Sequence, residues 1–354
     1  MHVIFNPSVN EENKYIEIMV RPLEEEGFTV HALDDFLSDR KHFASIKLVH
    51  LNWFENVDDS SFFKALKSFC RKMTVLLFIR FSKKKLVWTM HNRVSHEKNL
   101  SYFSRTITDF LIKWSDKIII HSEISKSILV SRYPKVENNI FYLPHPDFIG
   151  IYGPLPDTEQ QIPTSEPLAL LFLGAVKPYK NIELLIRAAG IFKDAVRLTI
   201  AGNPNSSAYR QKILNMAEQA GNTTLRLEFI SDHEIPQLIQ QSDLLVLPYD
   251  LESSLNSGTV LLAFSYKKTV ICPEIGTIKD LGPIIDKVLH YQYHTAEEHL
   301  TRLTEKIDKA LQLKNDHPNI FKLLGEQVYE HVKKSHSKKL IGEKLINLYQ
   351  SLLD

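Results

Sequence analysis

Residues 172–188 read FLGAVKPYKNIELLIRA, and this stretch indicates how the chain folds. An apolar strand ends at Gly174, a short loop carries Lys177 and Lys180, and a helix begins near Asn181. Units of strand, loop and helix build parallel sheets. The unpaired N–H groups and the partial positive charge at a helix start favour phosphate. The stretch alone is compatible with a phosphate site and with a plain strand–helix connection that carries solvated lysines.

The same alternation of strands and helices extends along the chain in both directions. Apolar runs at 2–5, 28–33, 46–53, 85–91, 117–122 and 139–145 alternate with helical patterns. A second series runs from 168 to 274 and includes a predicted strand over 225–231. Between the series, segment 153–167 is rich in Pro, Gly and polar residues and is typical of a linker. We predict an α/β protein with two doubly wound, Rossmann-like domains, 1–155 and 156–336. The amphipathic helix 337–354 is predicted to pack back on the first domain.

Composition excludes several classes of protein. The 43 Lys and Arg residues nearly balance the 42 Asp and Glu residues, which argues against a nucleic-acid-binding protein. Cys70 and Cys272 are the only cysteines, so we expect no disulfide framework and a reducing compartment. The first residues lack the pattern of a signal peptide, and the apolar run 74–79 is far too short to span a membrane. We therefore expect a cytoplasmic protein.

A second candidate phosphate site lies in residues 253–276, SSLNSGTVLLAFSYKKTVICPEIG. A small turn of Asn256, Ser257 and Gly258 leads straight into an apolar helix. Such a turn lets a bound anion approach the backbone closely. An ordinary helix cap would use the same residue types, so both interpretations remain open here.

A third candidate site is WTMHNRVSHE at 88–97. His91 and Asn92 follow the end of an apolar strand, and His96 and Glu97 come one short loop later. In parallel sheets, ligands bind at the carboxyl ends of strands, and histidine can position or share protons near neutral pH. The spacing does not establish a metal site, and the sequence contains no Asp-x-Asp motif to hold a metal-bound nucleotide.

Taken together, these segments resemble the two-domain GT-B glycosyltransferases, particularly the bacterial family 4 enzymes that build surface polysaccharides. The resemblance rests on FLGAVKPYKNIELLIRA, LTIAGNP, LEFISDHEIPQLIQQSDLLVLPY and NSGTVLLAFSYKKTVICPEIG, in that order. It implies two domains facing a cleft. It also implies a hexosyltransferase-type enzyme that moves a sugar from a UDP-, GDP- or ADP-sugar to a glycan or lipid-linked glycan. The implied reaction retains configuration and needs no metal or other cofactor.

The resemblance also assigns roles to individual residues. Lys180 would hold the donor diphosphate, with Lys177 assisting because Ala175 stands where the family has Arg. His91 would lie beneath the transferred sugar and act with Lys180 in catalysis. The residues implied to bind the donor are Gly174, Lys177, Lys180, Phe229, Ile230, Ser231, Ser254, Asn256, Ser257 and Gly258, and those implied on the acceptor or sugar side are Asn92, His96 and Glu97.

The sequence departs from the family at one pair of positions. Ser254 and Leu262 stand where many members carry the two glutamates of a Glu-x7-Glu pair, the first of which binds the sugar. A non-catalytic protein that binds nucleotide sugars therefore stays as an alternative. A nucleotide-sugar epimerase is a further alternative, although no GxGxxG turn follows the first strand.

The run 61–96 holds nine Lys and Arg residues and no Asp or Glu, with aromatic and aliphatic residues between them. Residues 61–81 have a helical pattern, and the basic amphipathic segment 61–85 is predicted to touch the inner face of an anionic membrane. Such contact would suit a lipid-linked acceptor. A solvated basic face on a helix packed against the core would have the same composition.

Overall fold

The computed structural model describes residues 1–11, 13–58, 60–92, 101–155 and 166–354. These residues form two compact units, Met1–Pro146 with His336–Asp354, and Asp147–Ser335. The predicted boundary lay between residues 155 and 156. In the structure, residues after Pro146 join the second unit because the Phe148 N–H donates to Ser265 Oγ over 2.9 Å.

The first unit is built on a parallel sheet with the strand order β2-β1-β3-β4-β5-β6 in the described residues. Its strands are β1 (His2–Asn6), β2 (Thr29–His31), β3 (Ile46–Asn52), β4 (Lys85–Met90), β5 (Lys117–Ile120) and β6 (Ile140–Tyr142). Its first helices are α1 (Tyr15–Glu25), α2 (Arg40–Ser45), α3 (Phe62–Phe81), α4 (Ser101–Trp114) and α5 (Glu123–Arg132). In α1, Ile16, Met19 and Leu23 recur at helical spacing and are buried against the sheet core.

The second unit contains another parallel sheet, with the order β12-β11-β10-β7-β8-β9. Its strands are β7 (Leu168–Leu173), β8 (Val196–Ala201), β9 (Thr223–Arg226), β10 (Leu244–Val246), β11 (Val270–Pro273) and β12 (Leu289–Tyr291). Its helices are α6 (Ile182–Gly190), α7 (Ser207–Ala220), α8 (Ile235–Gln240), α9 (Gly258–Ser265), α10 (Gly276–Lys279), α11 (Ala296–Asp316) and α12 (Ile320–Ser335). All residues of β7 are buried, as expected of a strand covered on both faces.

The chain then returns to the first unit as α13 (Lys338–Leu353). Ile341, Leu345 and Tyr349 of α13 share a buried cluster with residues of β1 and α1. A Cβ added to Gly342 would lie 2.7 Å from the Cβ of Pro22, so this glycine permits the close approach of α13 to α1. The two parallel sheets confirm the predicted doubly wound α/β class.

Several short elements differ from the prediction. The apolar run 225–231 was expected to be a strand, but β9 ends at Arg226 and residues 227–231 form a loop. The reason is that β9 is an edge strand, and β8, its partner, ends at Ala201 opposite Arg226. The elements β12, α2 and α10 were not predicted, because they are too short to show a clear period. The longer helices α11 and α12 were not predicted either, since the predicted second series ended at residue 274.

Candidate functional site

The loop that follows β7 is held against the end of β8. The Gly174 N–H donates to the Ala201 carbonyl over 3.0 Å, and the Val176 N–H donates to the Asn203 carbonyl over 3.0 Å. Gly202 has φ +146°, and a Cβ at that position would lie 1.9 Å from the Gly174 carbonyl oxygen. Only glycine therefore fits where these two strand ends meet, and the contact sets the path of the loop toward Lys180.

Lys180 lies at the end of this loop, just before α6. The next residue, Asn181, has the left-handed φ of +54° and donates from Nδ2 to the Pro248 carbonyl over 2.9 Å, which ties the loop to the end of β10. Lys180 Nζ lies 4.0 Å from the centre of the Tyr249 ring. Burial lowers the pKa of Lys180 to about 8, and Lys177 adds to this effect while Cys272 opposes it. At neutral pH the side chain is a partly desolvated cation, which favours binding of an anion.

The start of α9 forms the second part of the site. Ser257 caps the helix, because its Oγ accepts a hydrogen bond from the Val260 N–H over 3.2 Å. The Ser257 N–H in turn donates to Thr277 Oγ1 over 2.9 Å, which anchors the turn to the segment after β11. Helix starts carry N–H groups without intrahelical partners, and these suit a phosphate oxygen.

Tyr249 links these two parts. Its ring lies under the Lys180 ammonium, and its Oη lies 2.8 Å from Ser257 Oγ. Gly174 also belongs to this group, because a Cβ at its position would lie 3.9 Å from Thr259 Oγ1 in the first turn of α9. The two stretches that the sequence identified separately thus meet at one edge of the sheet. The arrangement can neutralise a diphosphate through one cation and a helix start.

The remaining predicted donor residues lie around this group in different ways. Lys177 is exposed, Asn256 is partly buried and Ser254 is buried. Phe229 is 59% exposed, on the loop after β9, and Ile230 beside it is buried. β8 separates β9 from β7, so this loop is offset from the Lys180 group along the sheet edge.

The loop after β9 has its own internal support. Ser231 and Glu234 form a reciprocal helix cap, and Arg226 pairs with Glu234 over 2.7 Å. This network fixes the backbone beside the exposed Phe229 ring. An aromatic ring held in this way can stack on a planar base.

The sequence patterns did not identify Tyr249 or Thr277 as site residues. They also did not identify the hydrogen bond by which Asn181 anchors the loop. Tyr249 and Thr277 each follow the apolar run of a strand, at the carboxyl edge where ligands bind in such sheets. Applying that rule to DLLVLPY would have indicated Tyr249. Its two contacts could not be read from the sequence, because they depend on β10 lying beside β7.

In the first unit, His91 lies one residue beyond β4 and is buried. Its Nε2 lies 3.0 Å from Asn52 Oδ1, and its ring stacks on Trp53 with centroids 4.0 Å apart at 17°. Burial lowers the pKa of His91 well below its ordinary value, and His121, His145 and His50 add to this effect. His91 is therefore a neutral imidazole at physiological pH.

Further histidines, which the sequence analysis did not single out, surround Tyr15 of α1. His121 follows β5, and its Nε2 lies 3.2 Å from Tyr15 Oη, while its Nδ1 lies 2.7 Å from the Leu143 carbonyl. The His145 ring lies 5.1 Å and the His91 ring 5.2 Å from the Tyr15 ring. KIIIHS and NIFYLPH each place a histidine at a strand end, which was the available signal.

The other residues predicted on the acceptor or sugar side are Asn92, His96 and Glu97. Asn92 is partly buried beside His91. His96 and Glu97 lie outside the described residues. Across the described parts of the chain, no group of three or more His, Cys, Asp or Glu side chains is arranged to hold a metal ion.

The predicted basic helix is α3, and it exposes both apolar and charged side chains. The exposed apolar residues include Phe63 and Phe81, at 81% and 80% exposure, together with Phe62, Leu66, Leu77 and Phe78. Lys64, Lys67 and Arg80 are exposed among them. Lys72 and Lys84 instead reach backbone carbonyls of Phe54 and Ile46 over 2.9 and 2.7 Å, so part of the basic run supports the fold. In the residues described, no helix is long and apolar enough to cross a membrane.

Comparison with known proteins relates this chain to one family. The family model for glycosyl transferases, group 1, matches residues 157–335. A GDP-mannose:glycolipid 4-beta-D-mannosyltransferase of Xanthomonas campestris pv. campestris is 25% identical over 229 residues, which cover 64% of this chain. The match spans 61% of that relative's length.

Solved structures of similar fold align with nearly the whole chain. HepE of Anabaena, crystallised with UDP-glucose, has a TM-score of 0.71 at 11% identity and covers 99% of both chains. Sucrose-phosphate synthase of Thermosynechococcus elongatus has a TM-score of 0.73 at 14% identity and covers 99% of this chain and 98% of its own. These similarities confirm the predicted GT-B fold.

Proposed function

The chain belongs to group 1 of the glycosyl transferases, and we propose that it moves a hexose from a nucleotide-diphosphate donor to a glycan or lipid-linked glycan acceptor. The reaction would serve polysaccharide biosynthesis. Two relatives support the choice of substrates: one is named for GDP-mannose and a glycolipid, and another was crystallised with UDP-glucose.

One observation carries the proposal, namely the assembly of Lys180, Tyr249 and Ser257 at the start of α9. Glycosyl transfer requires a diphosphate to leave while the anomeric carbon becomes cationic. A desolvated lysine and the partial positive charge at the start of a helix stabilise the departing negative charge without rearranging during the reaction. In this proposal Lys180 binds the diphosphate, and Phe229 lies against the base. His91 contacts the transferred sugar.

The test is transfer activity in Lys180 variants. Lys180→Ala should lower kcat about 10²- to 10³-fold, the usual effect of removing one such electrostatic contact. Lys180→Arg should retain part of the activity because it keeps the charge. Lys309→Ala removes an exposed lysine of α11 in the same unit and serves as the matched control. Full activity in Lys180→Ala would reject this site.

The nucleotide can be identified with the same variants. UDP, GDP, ADP and their sugars would be screened for an increase in melting temperature, since a ligand that binds only the folded state stabilises it. The stabilising nucleotide should have much less effect on Lys180→Ala. Equal stabilisation of the wild type and the variant would place the nucleotide elsewhere.

The proposal includes retention of configuration and independence from metal ions. If configuration is retained, a leaving-phosphate oxygen can take the acceptor proton. If it is inverted, a protein base is needed, and the candidates are His91, His96 and Glu97, of which His91 lies in the described residues. NMR of the anomeric proton in the product distinguishes the two outcomes.

Activity that survives dialysis against a chelator would support metal independence, and activity restored only by a divalent cation would contradict it.

We further propose that α3 touches an anionic membrane that carries the acceptor, so that the enzyme works at the inner, cytoplasmic face. Exposed aromatic side chains favour the interfacial region of a bilayer, and the lysines among them favour anionic headgroups. Sedimentation with vesicles that contain anionic lipid should pellet the protein, and zwitterionic vesicles should pellet less. A Phe63→Ser, Phe81→Ser variant should lose binding. No pelleting with either lipid would remove this part of the proposal.

A non-catalytic protein that binds nucleotide sugars is the second candidate. It is favoured by one observation, the replacement of the family's glutamate pair by Ser254 and Leu262, both of which are buried. Binding of a nucleotide sugar without transfer or hydrolysis, across glycan and lipid-linked acceptors, would favour this candidate.

A further inference from the structure

The side chain of Tyr293 holds part of the connection between β10 and α9. Tyr293 lies two residues beyond β12 and is partly buried. Its hydroxyl donates to the Tyr249 carbonyl over 3.0 Å and accepts from the Leu251 N–H over 2.9 Å. Both directions are fixed, because a carbonyl only accepts and a backbone N–H only donates. One hydroxyl group therefore links two backbone groups of this connection, on either side of Asp250.

Asp250 closes the same turn, residues 249–254, from within. Its Oδ1 accepts from the Glu252 N–H and its Oδ2 accepts from the Ser253 hydroxyl, each over 3.0 Å. Its carbonyl accepts from the Ser254 N–H over 2.9 Å. Short polar side chains commonly stabilise turns in this way. The turn is thus closed locally, and Tyr293 attaches it to a segment 44 positions beyond Tyr249 in the sequence.

The ring of Tyr293 is itself held by His299 of α11. The two rings are parallel, with their centroids 3.8 Å apart at 7°. His299 is buried, and its Nε2 lies 3.0 Å from Oη of Tyr291 in β12. The stack on a buried imidazole restricts the movement of the Tyr293 phenol. A path of direct contacts therefore runs from α11 through Tyr293 to Tyr249.

This path ends at the proposed diphosphate site. The Tyr249 ring lies under the Lys180 ammonium, and its hydroxyl lies 2.8 Å from Ser257 Oγ. Tyr249 can keep both groups in place only if its own backbone is fixed. Groups that are held in place before the reaction stabilise developing charge without a cost of rearrangement. The hydrogen bond from Tyr293 to the Tyr249 carbonyl therefore bears on the geometry of the whole site.

We propose that Tyr293 and His299 are positioning residues for the donor diphosphate, which act through Tyr249 on Lys180 and on the start of α9. The inference rests on the proposed function, in which Lys180 binds the diphosphate. It extends the site to the segment after β12 and to α11, neither of which was predicted from the sequence.

The first test measures the hydrogen bonds of Tyr293 and needs no activity. Tyr293→Phe removes the hydroxyl and keeps the ring on His299. Without its acceptor, the Leu251 amide should exchange with deuterium roughly 2- to 13-fold faster, the range expected for the loss of one hydrogen bond. NMR of the full chain labelled with 15N-leucine gives this rate, and Leu251→Ile identifies the signal. Unchanged exchange would show that the hydroxyl does not hold the turn.

Tyr329→Phe is the matched control. Tyr329 lies in α12 of the same unit, and its hydroxyl makes no hydrogen bond among the described residues, so the Leu251 amide should exchange as in the wild type. His299→Ala should speed the exchange because it removes the stack. His299→Phe keeps an aromatic partner and should restore most of the protection. Equal exchange in the two His299 variants would contradict a role for the stack.

Kinetics tests the link to the diphosphate. Tyr293→Phe should lower kcat/KM for the donor, but by no more than Tyr249→Leu, because it displaces the ring that the leucine variant removes. The contribution of such a ring to holding a cation sets a range of roughly 2- to 30-fold. Tyr329→Phe should leave kcat/KM unchanged. In the Tyr249→Leu background, Tyr293→Phe should cost little more, since coupled residues are not additive. Fully additive losses would contradict action through Tyr249.

Lys180→Ala separates this inference from the proposed function. If Lys180→Ala were fully active, the diphosphate site would lie elsewhere, whereas exchange of the Leu251 amide would still report whether Tyr293 holds the turn. If Lys180→Ala lost activity while Tyr293→Phe kept full kcat/KM, the positioning role would be rejected and the proposed site would stand.

Discussion

The Lys180 ammonium lies 4.0 Å from the centre of the Tyr249 ring, and the hydroxyl of the same tyrosine lies 2.8 Å from Ser257 Oγ at the start of α9. One buried side chain thus touches both groups that are suited to a diphosphate. Tyr249 is itself held, because Tyr293 donates to its carbonyl over 3.0 Å. The spacing between the cation and the helix start is therefore set by a rigid residue.

Tyr249→Leu should lower kcat/KM for the donor, because it removes both the ring and the hydroxyl. The ring alone contributes roughly 0.5–2 kcal/mol to holding a cation, which corresponds to about 2- to 30-fold. Tyr249→Phe keeps the ring and should lose less. Steady-state kinetics with varied donor provides the measurement, and equal losses in the two variants would assign the effect to the hydroxyl instead.

Gly202→Ala should destabilise the second unit and damage nucleotide binding. Its Cβ would lie 1.9 Å from the Gly174 carbonyl oxygen, so the two strand ends must move apart. Gly27→Ala is the control, since Gly27 also has a positive φ but has no atom within 4 Å of an added Cβ. The left-handed conformation alone costs about 1–2 kcal/mol, and Gly202→Ala should exceed that amount in urea unfolding. Similar costs in both variants would mean that the close contact is not important.

Removing the buried ion pair of the second unit should be costly. Lys314 Nζ lies 2.8 Å from Asp243 Oδ2, and both residues are buried. Lys314→Met leaves the carboxylate without its cation and should lower the free energy of unfolding by about 3–5 kcal/mol. Arg302→Ala breaks a solvent-exposed pair with Glu305 and should cost less than about 1 kcal/mol. Urea titrations followed by circular dichroism would compare the two.

The protein should lose stability as the pH falls below about 6.5, the unperturbed pKa of histidine. Burial lowers the pKa of His50 to about 3, that of His121 to about 4 and that of His145 to about 3. The unfolded chain therefore binds protons that the folded chain does not, between pH 6.5 and these values. Each histidine should cost up to about 2 kcal/mol between pH 7 and pH 5.

Melting temperatures at several pH values check this prediction. Carboxylates titrate mostly below pH 5, so the histidines should account for most of the change in stability between pH 7 and pH 5. His50→Gln should reduce the pH dependence because glutamine does not titrate. A melting temperature that is constant from pH 7 to pH 5 would show that these rings do not remain neutral in the folded state.

The sequence indicated most of the strands and helices. The helix expected over 61–81 is α3, Phe62–Phe81. The loop that carries Lys180 connects β7 to α6, and the turn at Ser257 leads into α9, as predicted. These features follow from local patterns, since the periodicity of strands and helices and the residues at their ends are written in a few consecutive positions. The end of β9 was misplaced because it depends on the length of its neighbour, β8.

What the sequence determined by itself was the alternation of strands and helices, and the placement of polar residues just beyond the strands. The tertiary structure decided which of those residues meet. Tyr249 reaches Lys180 because β10 lies next to β7, and His91 reaches Asn52 because β4 lies next to β3. Strand order and burial also set the charge states of Lys180 and the histidines, because desolvation depends on side chains that are distant in the sequence.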